Sequence, residues 1–232
     1  MCNKTMDPDG DVILKLEYPN DPFALDSDSA LSKCERISSI SSSPQNAKKE
    51  LGEANKTEPI TFRVSSRHLA LASPVFKSAL TGGWKESIKT EGEFQINSQG
   101  WDVTALSIFL NAIHCQYKQV PRSLELEMLA KVAVIVDYYA AHQVMEILSS
   151  TWIGNLRWQL PTTTCENRKV ALWICISWVF DDVNAFETAT KVAIHHGLSK
   201  LTDFGLPIPN KVIGKIKCHM SQLNGGRRCL LS

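Results

Sequence analysis

Cysteine and histidine have the widest chemical range in this chain, because both ligate metals and both serve in nucleophilic catalysis. A zinc site takes pairs of ligands spaced as C-x2-4-C or H-x3-5-H, so that two side chains reach one ion from a single turn. None of the six histidines has this spacing, and no two cysteines lie closer than ten residues apart. The cysteines are Cys2, Cys34, Cys115, Cys165, Cys175, Cys218 and Cys229. The sequence therefore predicts no metal site, no cofactor and no disulfide framework.

The motifs of common catalytic and nucleotide-binding sites do not occur in the sequence. It contains no G-x-G-x-x-G, no G-x-x-x-x-G-K-[ST], no G-x-S-x-G and no H-E-x-x-H. One enzymatic alternative stays open, a cysteine nucleophile whose histidine base meets it only in the folded chain. Its candidates are Cys115 or Cys175 with His68 or His142. The missing motifs favour a non-enzymatic binding module.

Charge is distributed unevenly along the 232 residues, although the net charge is only +1. Residues 1–60 carry 7 basic and 11 acidic groups, and residues 207–232 carry 5 basic groups and no acidic one. This pattern lacks the broad cationic face of a nucleic-acid-binding protein, so we expect no direct nucleic-acid partner. The longest apolar run, residues 170–180, is shorter than the roughly 20 residues of a membrane span. With no apolar signal segment near Met1, we expect a cytoplasmic or nuclear protein that is neither secreted nor bound to a membrane.

Three short segments alternate between apolar and other residues, as half-buried strands do: residues 12–18, 60–64 and 93–97. The second runs into a predicted helix that ends at Ala72. Because proline disfavours helical geometry in its predecessor, Ser73 and Pro74 predict a new helix, with Ser73 as its N-cap. That helix is expected to close at Gly82-Gly83 in a left-handed conformation.

Beyond Gly100 the apolar spacing changes to the period of helices. One helix carries Val103, Leu106, Phe109, Leu110 and Ile113, and the next, expected to be capped by Ser123, buries Leu129, Val132, Ala133, Val136 and Tyr139. A third carries Val144, Ile147, Leu148 and Trp152, and three more follow over 167–180, 183–196 and from about Asn210. The fold class predicted is α+β with helices dominant.

Residues 21–58 have a different composition. Eight of the 17 residues from Ser27 to Ser43 are serine, and a charged stretch follows. Such a segment buries too little apolar surface to offset its ordering entropy. We therefore predict a disordered insertion between the first and second strands.

The segment FRVSSRHLALASPVFKSALTGGWKES, residues 62–87, resembles the signature of a BTB/POZ domain. In that family a strand leads into a helix ending in L-x-x-x-S-P-x-F, and Leu69, Ser73, Pro74 and Phe76 match it. The first strand, the third strand and the helices between Trp101 and Trp152 are similar to the rest of the family's core. The resemblance implies a BTB/POZ domain over residues 9–157. The tryptophan-rich remainder, residues 158–232, resembles the helical extension of BTB proteins from filamentous fungi.

The resemblance also implies a function, because BTB domains commonly act as adaptors that dock a cullin scaffold and deliver a substrate for ubiquitination. A docking pattern described for such adaptors, an apolar residue, any residue and then glutamate, is matched by Trp84, Lys85 and Glu86. In the alternative interpretation Trp84 packs back on the helix pair and Glu86 faces solvent. A homodimer, an oligomerisation role or a transcription-linked scaffold without a ubiquitin connection is the competing hypothesis.

Overall fold

The computed structural model describes residues 3–24, 58–82, 92–162, 166–195 and 204–228, with side chains of the last segment described as far as Gln222. It confirms the α+β class: a small mixed sheet is packed against a larger set of helices.

The sheet contains β1 (Asn3–Thr5), β2 (Val12–Glu17), β3 (Ile60–Val64) and β4 (Phe94–Gln99), in the order β1-β3-β2-β4. β2 is central, antiparallel to β3 and parallel to β4, and Leu14 is paired with Phe62 on one side and Ile96 on the other. These three side chains are buried, as the alternation in the sequence predicts.

β1 is the strand that the sequence analysis missed. It pairs with β3 in parallel, Lys4 opposite Phe62, and Met6 donates its backbone N–H to the Arg63 carbonyl. A strand of three residues has no alternation to detect, and its pairing partner lies more than fifty residues away in the chain. Only the tertiary fold therefore defines it.

The described part of the chain contains eight α-helices. They are α1 (Ser66–Ala72), α2 (Pro74–Thr81), α3 (Val103–Ile113), α4 (Leu126–Tyr138), α5 (His142–Leu156), α6 (Asn167–Val179), α7 (Val183–His195) and α8 (Asn210–Arg228). Short 3-10 turns lie at Tyr117–Gln119 and Arg157–Gln159. The five α4 positions predicted to be buried are all buried.

One detail of the predicted helix ends is wrong. α4 begins at Leu126 after Glu125, not at a Ser123 cap, because the chain bends at Arg122 and Ser123 and is not yet helical there. Gly82 follows α2 with a φ of −82°, outside the left-handed region, and its N–H donates to the Ser78 carbonyl. Gly83, the other residue of the predicted helix stop, lies outside the described residues.

The break between α1 and α2 is organised by the Ser73 hydroxyl. As predicted, Ser73 caps α2, because its Oγ accepts a hydrogen bond from the Phe76 N–H at 3.1 Å, with Pro74 next in the first helical position. The same hydroxyl donates to the Tyr139 carbonyl at the end of α4, with an Oγ to O distance of 2.5 Å. Ser73 is fully buried. One hydroxyl therefore satisfies the N-terminus of α2 and the C-terminus of α4 together.

Aromatic stacking strengthens this junction. The rings of Phe76 and Tyr139 are stacked with centroids 4.2 Å apart, and Phe109 of α3 stacks with Tyr139 at 5.7 Å. Burial raises the pKa of the Tyr139 hydroxyl to about 12. The rings of α2, of α3 and of Tyr139 at the end of α4 thus meet in one aromatic cluster beside the Ser73 hydrogen bond.

The C-terminal helices are joined to α4 by packing and by ion pairs. Nine of the thirteen residues of α6 are buried, and Arg168 at its start reaches Glu127 of α4 at 2.7 Å. This hydrogen bond from Arg168 lowers the pKa of Glu127. Lys131 links Glu127 to the Asp102 cap of α3. Burial opposes the charge on Asp102, but bonds from the Ala105 N–H and from Lys131 outweigh it and lower its pKa.

The first residues of the predicted insertion are described. Ala24 is buried, Phe23 packs on the core, and the Ala24 carbonyl accepts a hydrogen bond from Arg168. The prediction of disorder for the rest of the insertion concerns residues 25–57, which lie outside the described residues.

Replacing Ser73 by alanine is expected to lower the free energy of unfolding by about 2–3 kcal/mol, since it removes a helix cap and leaves a buried carbonyl without a donor. Denaturant unfolding of Ser73→Ala measures this loss. Ser78→Ala, an exposed position on the same helix, is the control and should stay within about 0.5 kcal/mol of the parent. Equal effects at both positions would contradict the role of the Ser73 hydroxyl.

Ala140 follows α4 with a φ of +49°, in the left-handed region, and its side chain is exposed. Glycine adopts this conformation without steric cost, so Ala140→Gly should stabilise the chain by about 0.5–1 kcal/mol. The neighbouring Ala141→Gly should destabilise by about 1 kcal/mol, because Ala141 is buried and has an ordinary φ of −102°. Thermal unfolding of the two variants tests these opposite signs.

Candidate protein-docking surface

An apolar groove of about 700 Å³ lies on the surface between the chain that follows α3 and helix α5. We call it the α5 groove. Its floor is formed by Val120 and the fully buried Trp152, and its walls by the other lining residues. Those residues are Tyr117, Pro121, Arg122, Val144, Ile147, Leu148, Thr151 and Asn155.

Large apolar side chains face solvent in this groove. Ile147 is 82% exposed and Tyr117 is 55% exposed, although both have more than enough apolar surface to gain from burial. Contiguous exposed apolar surface of this kind marks sites that are covered by a partner. Isolated exposed residues, by contrast, need no such explanation.

Two hydrogen bonds hold the groove in shape. The Trp152 indole N–H donates to the Pro121 carbonyl at 2.8 Å, and the Asn155 amide donates to the Arg122 carbonyl at 3.0 Å. Trp152 and Asn155 are one helical turn apart, so both bonds come from the same face of α5. A surface that is already held in its binding shape loses less entropy when a partner docks.

Charge in the groove comes from Arg122, the one charged side chain among its described lining residues. Arg122 is exposed at the rim, and its backbone carbonyl accepts the hydrogen bond from the Asn155 amide. An apolar floor beside a single cation suits an amphipathic helix that carries apolar residues and an adjacent acid.

The docking residues predicted from the sequence, Trp84, Lys85 and Glu86, lie outside the described residues. The four residues of the signature are described, and the structure places them in the α1–α2 junction: Leu69, Ser73 and Phe76 are buried, and Pro74 is exposed in the first turn of α2. The three buried residues face the interior.

The α5 groove itself was not predicted as a site. Val144, Ile147, Leu148 and Trp152 were expected to share a helix, and they do, but their burial differs. Trp152 is inside, whereas Ile147 and Val144 face solvent. A helical apolar stripe has the same appearance whether a neighbouring helix or a partner protein covers it, so periodicity alone does not separate the two.

The candidate cysteines and histidines are not hydrogen-bonded to each other in the described part of the chain. Cys175 is buried in α6, and burial raises the pKa of its thiol to about 12, which keeps it protonated and unreactive. Cys115 is exposed. Among the described hydrogen bonds none joins a cysteine to a histidine, and His142 lies beside Asp137, 3.6 Å away.

His114 has a structural role that fixes its protonation state. Its Nε2 accepts a hydrogen bond from the Ser65 N–H at 3.0 Å, so its Nδ1 carries the proton and donates to the Leu110 carbonyl at 2.8 Å. The His68 ring stacks on it with a centroid distance of 5.0 Å. Burial, with the nearby His68, lowers the pKa of His114. Protonation of Nε2 would break the bond to the backbone where α1 begins.

No protein-family model matches the chain, and no curated protein is significantly similar to it. Within the described residues no group of three or more histidine, cysteine, aspartate or glutamate side chains is placed to hold a metal ion. None of the described helices has the length and apolar character needed to cross a membrane.

Stability is expected to fall on acidification, because the folded state holds His114 neutral while the unfolded state protonates it. The pKa of His114 in the folded state lies below its ordinary value of 6.5. Its contribution to the free energy of unfolding is therefore complete above about pH 6.5 and is lost as the pH falls from there toward the folded pKa. Denaturant unfolding between about pH 8 and about pH 5 measures the slope. His114→Gln should reduce the slope in this window, and a slope unchanged in the variant would contradict the assignment.

Proposed function

We propose that this chain is a non-enzymatic protein-interaction module of the BTB/POZ class, which acts as a substrate adaptor for a cullin-RING ubiquitin ligase. The observation that carries the interaction role is the α5 groove, a preformed apolar surface with Ile147 at its exposed centre. The partner class comes from the resemblance of residues 62–87 to the BTB signature and from the docking pattern that follows α2.

In this proposal one helix of the cullin lies along α5 and covers Ile147 and Leu148. Arg122 at the rim pairs with an acidic side chain of that helix. Trp84 and Glu86 supply a second contact, an aromatic anchor with a charged neighbour that sets its orientation. Two contacts on one partner explain why an exposed groove and a separate docking pattern occur in one domain.

Ile147→Asp should weaken binding of the N-terminal domain of a cullin by at least about tenfold, because it places a charge in the apolar centre of the interface. Isothermal titration calorimetry measures the affinity. Val183→Asp is a matched control, since Val183 is also an exposed apolar residue, 69% exposed, but lies at the start of α7 outside the groove. Both variants should unfold within about 1 kcal/mol of the parent chain.

Trp84→Ala should also weaken cullin binding while changing the free energy of unfolding by less than about 1 kcal/mol, the size expected of a surface change. A larger loss of stability without loss of binding would favour the alternative in which Trp84 packs on the helix pair. If the parent chain has no affinity for a cullin, the adaptor role is overturned. Self-association that Ile147→Asp abolishes in sedimentation experiments would then assign the groove to an oligomer.

A further inference from the structure

A second pocket, of about 440 Å³, lies where the end of β4 meets the end of α4. We call it the aromatic pocket. It shares no lining residue with the α5 groove, so it is independent of the function proposed above. Its described lining residues are Glu17, Asn97, Ser98, Gln99, Trp101, Tyr138 and Tyr139.

Aromatic rings form one side of this pocket. Trp101 and Tyr138 meet edge to face, with centroids 5.3 Å apart and planes at 67°, so the two rings form a corner. Tyr138 is 61% exposed. The ring plane of Tyr139 makes an angle of 85° with that of Tyr138. Because Phe76 stacks on the Tyr139 ring, Tyr139 packs behind the corner and holds it in place. Ring faces carry partial negative charge and attract cations.

The polar lining of the pocket has the same electrostatic character. Glu17 contributes a carboxylate whose side chain is 39% exposed, and Asn97 and Gln99 contribute exposed amide groups. The Ser98 hydroxyl is buried beside them. No lysine, arginine or histidine is among the pocket's described lining residues. The pocket therefore presents acceptors and ring faces without a cation of its own.

We propose that the aromatic pocket binds an arginine side chain of a protein partner. A guanidinium group is planar and stacks on tryptophan and tyrosine faces, while its donors form a fixed fork that suits a carboxylate with neighbouring amide oxygens. Lysine has a compact, strongly hydrated charge and gains less from an open aromatic corner. An anionic ligand would be repelled by Glu17 and by the ring faces.

Among the described residues Glu17 has one competing partner, because Lys15 donates to its Oε1 at 2.7 Å. Both side chains of this pair are about two-fifths exposed, 42% for Lys15 and 39% for Glu17, and such exposed pairs are weak. A bound guanidinium therefore displaces Lys15 or uses the second carboxylate oxygen at small cost.

The test is a titration of the isotope-labelled chain with a five-residue glycine peptide that has a central arginine, followed by nuclear magnetic resonance. The Trp101 indole N–H and the Tyr138 amide should shift and saturate. Matched peptides carry citrulline, lysine or trimethyl-lysine at the centre. Citrulline keeps the shape of arginine without its charge, so it should bind at least about tenfold more weakly.

Tyr138→Leu should weaken arginine binding about three- to fivefold, the size of a cation–π contact at an exposed site, and Glu17→Gln should weaken it as well. Tyr117→Leu is the matched control, because Tyr117 is similarly exposed, 55%, but lies in the α5 groove. Its arginine affinity should equal that of the parent. Thermal unfolding of the three variants confirms that each is folded.

Three results would overturn the proposal. Equal shifts with arginine and citrulline would exclude recognition of the charge, and shifts that map away from Trp101 and Tyr138 would exclude the pocket. Tighter binding of the lysine or trimethyl-lysine peptide would exclude the guanidinium as the preferred ligand.

Discussion

The arrangement of the helices depends on the two hydrogen bonds of the buried Ser73 hydroxyl. One bond begins α2, and the other ends α4 at the Tyr139 carbonyl. Both groups are backbone atoms that would otherwise lie unsatisfied inside the protein, a cost of about 1–3 kcal/mol each. The Phe76–Tyr139 stack forms only when these two helix ends meet. Ser73, which precedes Pro74, therefore both marks the local break between α1 and α2 and connects α2 to the end of α4.

Both proposed binding surfaces depend on this junction. The chain turns at Ala140, directly after Tyr139, and α5 begins two residues later, so the position of α4 determines the position of the α5 groove. On the other side, Tyr138 and Tyr139 at the end of α4 meet Trp101 to form the aromatic pocket. The ion pairs of Glu127 and Lys131 connect the same helix to α3 and α6. Helix α4 thus connects the C-terminal helices with the two surfaces, and its end meets the end of β4 at the aromatic pocket.

Much of the fold could be predicted from the sequence, because local patterns determine it. The alternation over β2 and β3, the apolar stripe of α4 and the Ser73 cap of α2 all agree with the structure. β1 could not be predicted, since its three residues are a strand only through their pairing with β3. The Ser73 bond to Tyr139 joins residues 66 positions apart, a relation that no local pattern contains.

The binding surfaces were less accessible to sequence analysis than the fold. Ile147 belongs to a helical apolar stripe, and only the folded structure shows that it is exposed. The aromatic pocket is lined by Glu17 of β2, by the end of β4 and by the two tyrosines at the C-terminal end of α4, Tyr138 and Tyr139, which are widely separated from β2 and β4 in the sequence. Surface sites of this kind arise from the tertiary arrangement, whereas Leu69, Ser73 and Phe76 of the L-x-x-x-S-P-x-F pattern lie in the interior.

The proposed function requires that a partner covers the α5 groove. Amide hydrogen exchange of the chain, measured alone and with the N-terminal domain of a cullin, tests it most directly. We expect slower exchange in the chain at Tyr117–Gln119 and in α5, with α7 unchanged. Binding that protects other segments and leaves α5 unchanged, or an exchange pattern that the cullin domain does not alter, would contradict the account.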